Sequence, residues 1–173
     1  MASDVLAVMD ALQLERAAIV GSNDGACTAL ILARQAPARV SGVFFFGCNM
    51  DPSGHKGHRA QSGPWPVFRP TLEGLWRTIG HAGSVQGVCG GGRPDAEDRA
   101  QYSAQDLADI HVPVTIVQSE HDEFIKPEHA EYLARSIPGA ELVFLLGVSH
   151  FAPLQRPEQF NTVMSAFLSK VFC

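Results

Sequence analysis

The sequence has no long apolar run, no cysteine pair at metal-ligand spacing and no excess of positive charge. No stretch approaches the roughly 18 apolar residues of a membrane-spanning helix, and the N-terminus lacks the basic and apolar regions of a signal peptide. Thirteen Lys and Arg against eighteen Asp and Glu give a formal charge of −5, the wrong sign for binding nucleic acid through its phosphates. These absences predict a soluble cytoplasmic protein with no membrane and no nucleic-acid partner.

The four cysteines lie far apart, with no C-x-x-C pair among them. Their spacing disfavours a structural zinc site and a disulfide framework, and it suits a reducing compartment in which each thiol packs as a small apolar side chain. A chain of 173 residues, 46% of them hydrophobic, buries enough surface to hold one core without either device. We therefore expect no metal and no cofactor.

Short apolar runs alternate with helical patterns along most of the chain. Four runs are typical of strands in a parallel sheet, the first of them buried on both faces: 17–21, 40–48, 112–118 and 141–146. Apolar residues at helical spacing predict helices in four segments: 5–12, 26–33, 130–137 and 160–171. This order predicts a three-layer α/β domain, with a parallel sheet of about four strands and helices on both faces.

The alternation breaks in residues 53–102, which we expect to form an irregular, cap-like insertion within a single domain at 1–173. Residues 53–93 are rich in glycine and contain one acid, Glu73. Long irregular insertions are often lids over a site, but so abrupt a change of composition also fits a damaged or frame-shifted stretch of coding sequence. Normal patterning resumes at Ser103, which predicts a helix cap.

The first predicted strand leads through Gly21-Ser22-Asn23-Asp24-Gly25 directly into a helix. Such a turn holds its central residue in a strained conformation with the side chain over the end of the sheet. We expect glycine to be required on both sides, because neighbouring side chains have no room. Alone, this spacing is weak evidence, since glycine-rich turns after strands also bind phosphate or have no function.

Two further loops follow predicted strands, at 119–125 and 147–151. Because the carboxyl ends of parallel strands meet at one edge of a sheet, Asn23, Asp122 and His150 are expected to lie together there. We also expect a hydrogen bond between Asp122 and His150. Their chain order is nucleophile, acid, histidine, a set in which the acid orients the imidazole and the imidazole takes a proton from the nucleophile.

On these three loops the chain resembles the C-terminal part of an α/β-hydrolase-fold protein, of the esterase-like group with a Gly-Trp-Ser-Asp-Gly-type elbow. The resemblance covers roughly residues 1–50 and 103–173. It implies hydrolysis of small esters or related acyl compounds, so that the expected partner is a small-molecule acyl substrate. It assigns the nucleophile position to Asn23, the acid to Asp122 and the histidine to His150.

The chain departs from the family at the nucleophile. Asn23 stands where the family has serine, and a carboxamide has neither a removable hydroxyl proton nor useful nucleophilicity. Ser22 and Asp24 are each displaced by one residue, although the resemblance assigns one oxyanion donor to the backbone N–H of Asp24. The chain is also shorter at its N-terminus than family members. We therefore expect the strand at 17–21 to lie at an open sheet edge, through which the protein either forms a homodimer or aggregates.

Two classes of function stay open at this point. The chain is either a hydrolase of small acyl compounds or a catalytically inactive relative, which is a binding or interaction domain or a truncated remnant. A third alternative is deamidation of Asn23 to a carboxylate nucleophile, as in dehalogenase-like relatives, which adds about one dalton to the mass. His55, His58 and His81 have no acid or cysteine at metal-ligand spacing, and we expect them at the surface.

Overall fold

A computed structural model describes residues 1–56 and 102–172, all of which fall within one compact unit. Apart from residues 53–56 and 102, the expected cap-like insertion at 53–102 lies outside the described residues, as do His58 and His81. The single domain at 1–173 therefore stays a prediction.

Helices and strands alternate through the described residues. In chain order they are α1 (Ala2–Ala11), β1 (Ala17–Ser22), α2 (Asp24–Gln35), β2 (Val40–Phe46), α3 (Ala104–Ala108), β3 (Val114–Ser119), α4 (Pro127–Ser136), β4 (Glu141–Leu145), α5 (Ala152–Gln155) and α6 (Pro157–Phe172), with short 3₁₀ turns at Pro37–Arg39 and Pro52–Gly54. None of these helices is long and apolar enough to cross a membrane.

The four strands form one parallel sheet in the order β1-β2-β3-β4. Their register aligns the carboxyl ends: Ser22 lies beside Phe46, Phe46 beside Val117, and Ser119 beside Leu145. The loops that follow the strands therefore all begin at the carboxyl edge of the sheet. The predicted α/β architecture with four parallel strands is confirmed.

Helices cover both faces of the sheet, and the successive apolar residues 43–46 of β2 alternate between the two faces. Val43 and Phe45 belong to a core shared with α2, α3 and α4, whereas Phe44 and Phe46 belong to a core shared with α5 and α6. On the second face, the Phe44 ring lies 5.5 Å from the Phe160 ring, centroid to centroid. Each buried phenylalanine contributes about 1.5–3 kcal/mol to folding.

The edge strand β1 corrects one prediction. Its apolar run predicts burial on both faces, but only Gly21 is buried, and Val20 is 44% exposed. The reason is position, because among the described strands β1 pairs with β2 alone. Its place at a sheet edge agrees with the sequence analysis, and the homodimer expected through that edge stays a prediction.

Strand boundaries follow backbone chemistry that apolar runs do not show. β2 ends at Phe46 and not at Cys48, because Gly47 turns the chain with φ of 61°. β3 begins at Val114, after Pro113, which has no N–H to give to a neighbouring strand. The cap predicted at Ser103 is confirmed, since its hydroxyl accepts the N–H of Asp106 and the Asp106 carboxylate accepts the N–H of Ser103.

Candidate active site

The turn between β1 and α2 holds Asn23 in a conformation that side chains rarely adopt. Asn23 is exposed and has φ of 53° and ψ of −130°. Backbone hydrogen bonds fix it from both sides: its N–H donates to the carbonyl of Phe46 at 3.0 Å, and its own carbonyl accepts the N–H of Ala26 at 2.8 Å. The strained turn expected from the sequence is present at this position.

The two glycines of this turn are not equivalent. A Cβ on Gly21 would lie 2.4 Å from the carbonyl oxygen of Gly25 and 2.6 Å from the Cα of Ala26, so no side chain fits there. A Cβ on Gly25 would meet no heavy atom within 4 Å in the described part of the chain. The expectation that both glycines are required is therefore wrong for Gly25, because only Gly21 packs against the backbone of α2.

Asp122 is 1% exposed in the loop after β3, and each of its carboxylate oxygens has a separate partner. Oδ1 accepts the backbone N–H groups of Phe124 and Ile125, both at 2.9 Å. Oδ2 lies 2.9 Å from Nδ1 of His150. The backbone bonds thus orient the carboxylate toward the imidazole, and the predicted contact between Asp122 and His150 is confirmed.

The His150 ring is buried among aromatic side chains after β4. The Phe46 ring stacks on it at 6.3 Å, and the rings of Phe124 and Phe151 meet it edge-on at 4.9 and 5.5 Å, centroid to centroid. With Nδ1 directed at a carboxylate, the neutral imidazole carries its proton on Nδ1 and keeps a lone pair on Nε2. This tautomer is the one that a general base requires.

Asn23 and His150 are joined through the end of β2. Phe46 accepts the N–H of Asn23 and stacks its ring on His150, and the next residue, Gly47, approaches the imidazole so closely that a Cβ there would lie 3.1 Å from Cε1. The structure therefore brings Asp122 and His150 into direct contact and places Asn23 at the same sheet edge. Their catalytic roles stay predictions.

Asp24, the expected oxyanion donor, is the first residue of α2. The N–H groups of the first helical turn point out of the helix N-terminus, which is where a developing negative charge is stabilised. The Asp24 carbonyl accepts the hydroxyl of Thr28 at 2.9 Å, which anchors this first turn. The role of the Asp24 N–H stays a prediction.

A second buried histidine, His129 on α4, has no signal in the sequence because its partners lie more than 70 residues away. Its Nε2 accepts the N–H of Met50 at 3.0 Å, and its Nδ1 lies 3.5 Å from Asp51. Burial lowers the pKa of His129 and outweighs the attraction of Asp51. Burial acts to raise the pKa of Asp51, but the hydrogen bonds from Ser53 and the electrostatic attraction of His129 together lower it.

A cavity of about 520 Å³ opens beside His129. It is lined by Asp51, Ser53, Tyr102, Lys126, Glu128, His129 and Tyr132. None of the three predicted site residues lines this cavity. His55 is half-buried and its backbone pairs with Ile125, so its expected surface position is only partly exposed. Across the described residues, no group of three His, Cys, Asp or Glu side chains is arranged to hold a metal.

Comparison with known proteins identifies relatives of this arrangement. No family model matches the chain. The serine hydrolase BPHL of Mus musculus is 26% identical over 173 residues, and that of Homo sapiens is 25% identical over 177 residues. Each alignment covers 96% of this chain and 60% of the relative. The chain thus spans 60% of the length of the curated relatives it matches.

Solved structures agree on the fold. The meta-cleavage product hydrolase CumD of Pseudomonas fluorescens IP01 superposes with a TM-score of 0.78 at 18% identity, covering 98% of this chain and 70% of that one. A thermophilic esterase of Thermogutta terrifontis gives a TM-score of 0.78 at 22% identity, covering 99% of this chain and 72% of the esterase. The four described strands and their loops correspond to the C-terminal part of this fold.

Proposed function

We propose that the site of this chain, which has the α/β-hydrolase fold, has the architecture for hydrolysing small esters or related acyl compounds, with the nucleophile position occupied by Asn23. The observation that carries the proposal is the buried Asp122–His150 pair, 2.9 Å apart, at the sheet edge where Asn23 occupies a strained turn. The site therefore has a histidine that can act as a general base and an acid that orients it.

His150 would act as the general base in this site. Its Nε2 would take the proton of an attacking hydroxyl, while Asp122 holds the tautomer and stabilises the imidazolium that forms. The carboxamide of Asn23 has no such proton and attacks carbonyl carbon poorly. We therefore propose that the unchanged chain has negligible esterase activity and that the missing element is the hydroxyl at position 23.

The second candidate function is that of a non-catalytic relative that binds acyl compounds or a protein partner. The presence of Asn23 at the elbow favours it, because the substitution removes the nucleophile and leaves the Asp122–His150 pair assembled. A cytoplasmic setting suits either function, since the spacing of the four cysteines matches no disulfide framework.

Intact mass tests deamidation of Asn23, which we expect to be absent.

The experiment is the substitution Asn23→Ser, followed by reaction with an activated aryl ester. We expect a slow burst of acylation and weak turnover. Among the described residues the assigned oxyanion donor is the Asp24 N–H, and each such donor is worth about 2.7–4 kcal/mol, or about two to three powers of ten in rate. Asn23→Ala is the control, since it changes the same side chain without adding a hydroxyl.

Three results separate the candidates. A burst in Asn23→Ser that disappears when His150→Ala is added supports the hydrolytic architecture. A folded Asn23→Ser variant with no acylation supports the binding or interaction role. Full turnover from the single substitution would contradict the expectation that one assigned oxyanion donor supports only weak turnover.

A further inference from the structure

We propose that Glu123 is a positioning residue that holds His150 in register with Asp122. The Glu123 carboxylate accepts the backbone N–H of His150 at 3.0 Å. The adjacent carboxylate, Asp122, binds the imidazole of the same histidine at 2.9 Å. Two successive acids of one loop therefore hold the backbone and the ring of His150, and this role rests on the function proposed above for the Asp122–His150 pair.

The contact belongs to a ladder between the loops after β3 and β4. The Glu120 carboxylate accepts the N–H of Gly147 at 2.7 Å, and the N–H of His121 donates to the carbonyl of Val148 at 3.0 Å. Glu123 closes the end of this ladder at His150 itself. Its loss would remove the hydrogen bond to the His150 N–H itself, while the neighbouring Ser149 N–H would still donate to Gln155 at 2.7 Å.

The backbone contact matters because the hydrogen bond to Asp122 and the aromatic neighbours act on the ring of His150 and not on its Cα. The ring turns about two side-chain torsions, and the position of Cα sets where the ring nitrogens lie relative to Asp122 and Asn23. A displacement of about 1 Å in a catalytic group lowers rates by about two powers of ten. By holding the His150 N–H, Glu123 restrains the position of Cα, from which the ring reaches Asp122.

Conservative substitutions at position 123 separate reach from charge. Glu123→Gln keeps an oxygen acceptor at the same distance and removes the charge, whereas Glu123→Asp keeps the charge and draws the carboxylate back by one methylene. Glu123→Ala removes both. Glu131→Ala is the matched control, because Glu131 is an exposed acid on α4 whose partner is Arg135.

The first measurement is hydrogen exchange of the His150 Nδ1 proton by NMR in the chain with Asn23 unchanged. We expect exchange about tenfold faster in Glu123→Ala and Glu123→Asp than in the unchanged chain, as the loss of one hydrogen bond to the His150 N–H implies. Glu123→Gln and Glu131→Ala should exchange at the rate of the unchanged chain. Equal exchange in all four variants, or rescue by Glu123→Asp and not by Glu123→Gln, would overturn the positioning role.

The second measurement is the acylation rate with the same substitutions added to Asn23→Ser. We expect about tenfold slower acylation with Glu123→Ala, rescue by Glu123→Gln, and no change with Glu131→Ala. The exchange measurement does not depend on acylation. If the Nδ1 proton responds as expected but Asn23→Ser is never acylated, the proposed hydrolytic function fails while the positioning role stands.

Discussion

At the residue scale, the distance between β2 and the His150 ring depends on Gly47. Its φ of 61° lies in the left-handed region, and a Cβ would sit 3.1 Å from Cε1 and 3.3 Å from Nδ1 of the imidazole. Gly139 has a similar φ of 71°, but a Cβ there would meet no described heavy atom within 4 Å. The two glycines share a left-handed backbone conformation, which would strain any other residue, and only Gly47 lies against His150.

We therefore expect Gly47→Ala to lower the free energy of unfolding by about 2–3 kcal/mol, and Gly139→Ala by about 1 kcal/mol from backbone strain alone. Urea unfolding of both variants measures the difference. The Gly47→Ala variant should also lose protection of the His150 Nδ1 proton. Equal destabilisation by the two substitutions, with that proton still protected, would show that Gly47 has no packing role at the site.

Which residues of the site were predictable depends on what each one contacts. Asp122 and His150 follow strands at the same sheet edge, so their positions in the chain are enough to bring them together. Glu123 accepts the backbone N–H of His150, and Gly47 lies against the ring of the same histidine. Both residues are far from His150 in the chain. Neither kind of contact leaves a pattern in the sequence, and both were found only in the folded chain.

At the element scale, the contact between α4 and the loop after β2 depends on a neutral His129. Nε2 accepts the N–H of Met50, which it does only without a proton, and Gly54 packs on the ring so closely that a Cβ would lie 2.4 Å from Cγ. The charged groups nearest the ring are Asp51, which favours protonation, and Lys126, which opposes it. Protonation would remove the acceptor of the Met50 N–H and weaken the contact between the two elements.

The lowered pKa of His129 predicts a loss of stability in mild acid. The unfolded chain binds the proton near the ordinary pKa of 6.5, and the folded chain binds it only at lower pH. The contribution is therefore complete above pH 6.5 and is lost as the pH falls from there toward the folded pKa. Asp51, whose ordinary pKa is 3.8, acts in a separate and more acidic range.

Thermal unfolding between pH 7.5 and about 5 measures this effect. We expect the Tm of the unchanged chain to fall with pH across this range, and His129→Gln to show a shallower dependence because it has no group that titrates there. Parallel pH profiles for the two proteins would mean that His129 is protonated as easily in the folded chain as in the unfolded chain.

The order of the elements was predictable, and their ends and burial less so. Apolar runs located all four strands because buried parallel strands are apolar at successive positions. They misplaced the end of β2, where Gly47 turns the chain, and the start of β3, where Pro113 interrupts it. They also overstated the burial of β1, because a run of apolar residues does not tell a central strand from one at an edge.

At the scale of the whole molecule, the parallel order of the strands determines where the site forms. The carboxyl edge of the parallel sheet brings together residues that lie 28 and about 100 positions apart in the chain. The fold therefore brings Asp122 and His150 into contact in a chain that has Asn23 in the turn after β1. The central claim of the proposed function is that Asp122 and His150 form a working acid–base pair, whereas position 23 has no nucleophile.

The most direct test of this claim is labelling by a serine-directed phosphonate probe. We expect the unchanged chain to remain unlabelled, and the Asn23→Ser variant to take up one probe molecule, located at residue 23 by peptide mass mapping. Adding His150→Ala to that variant should slow the labelling strongly, since the base that activates the hydroxyl is removed. Labelling of the unchanged chain at Ser22 would contradict the account, because the nucleophile would then lie one residue earlier in the turn.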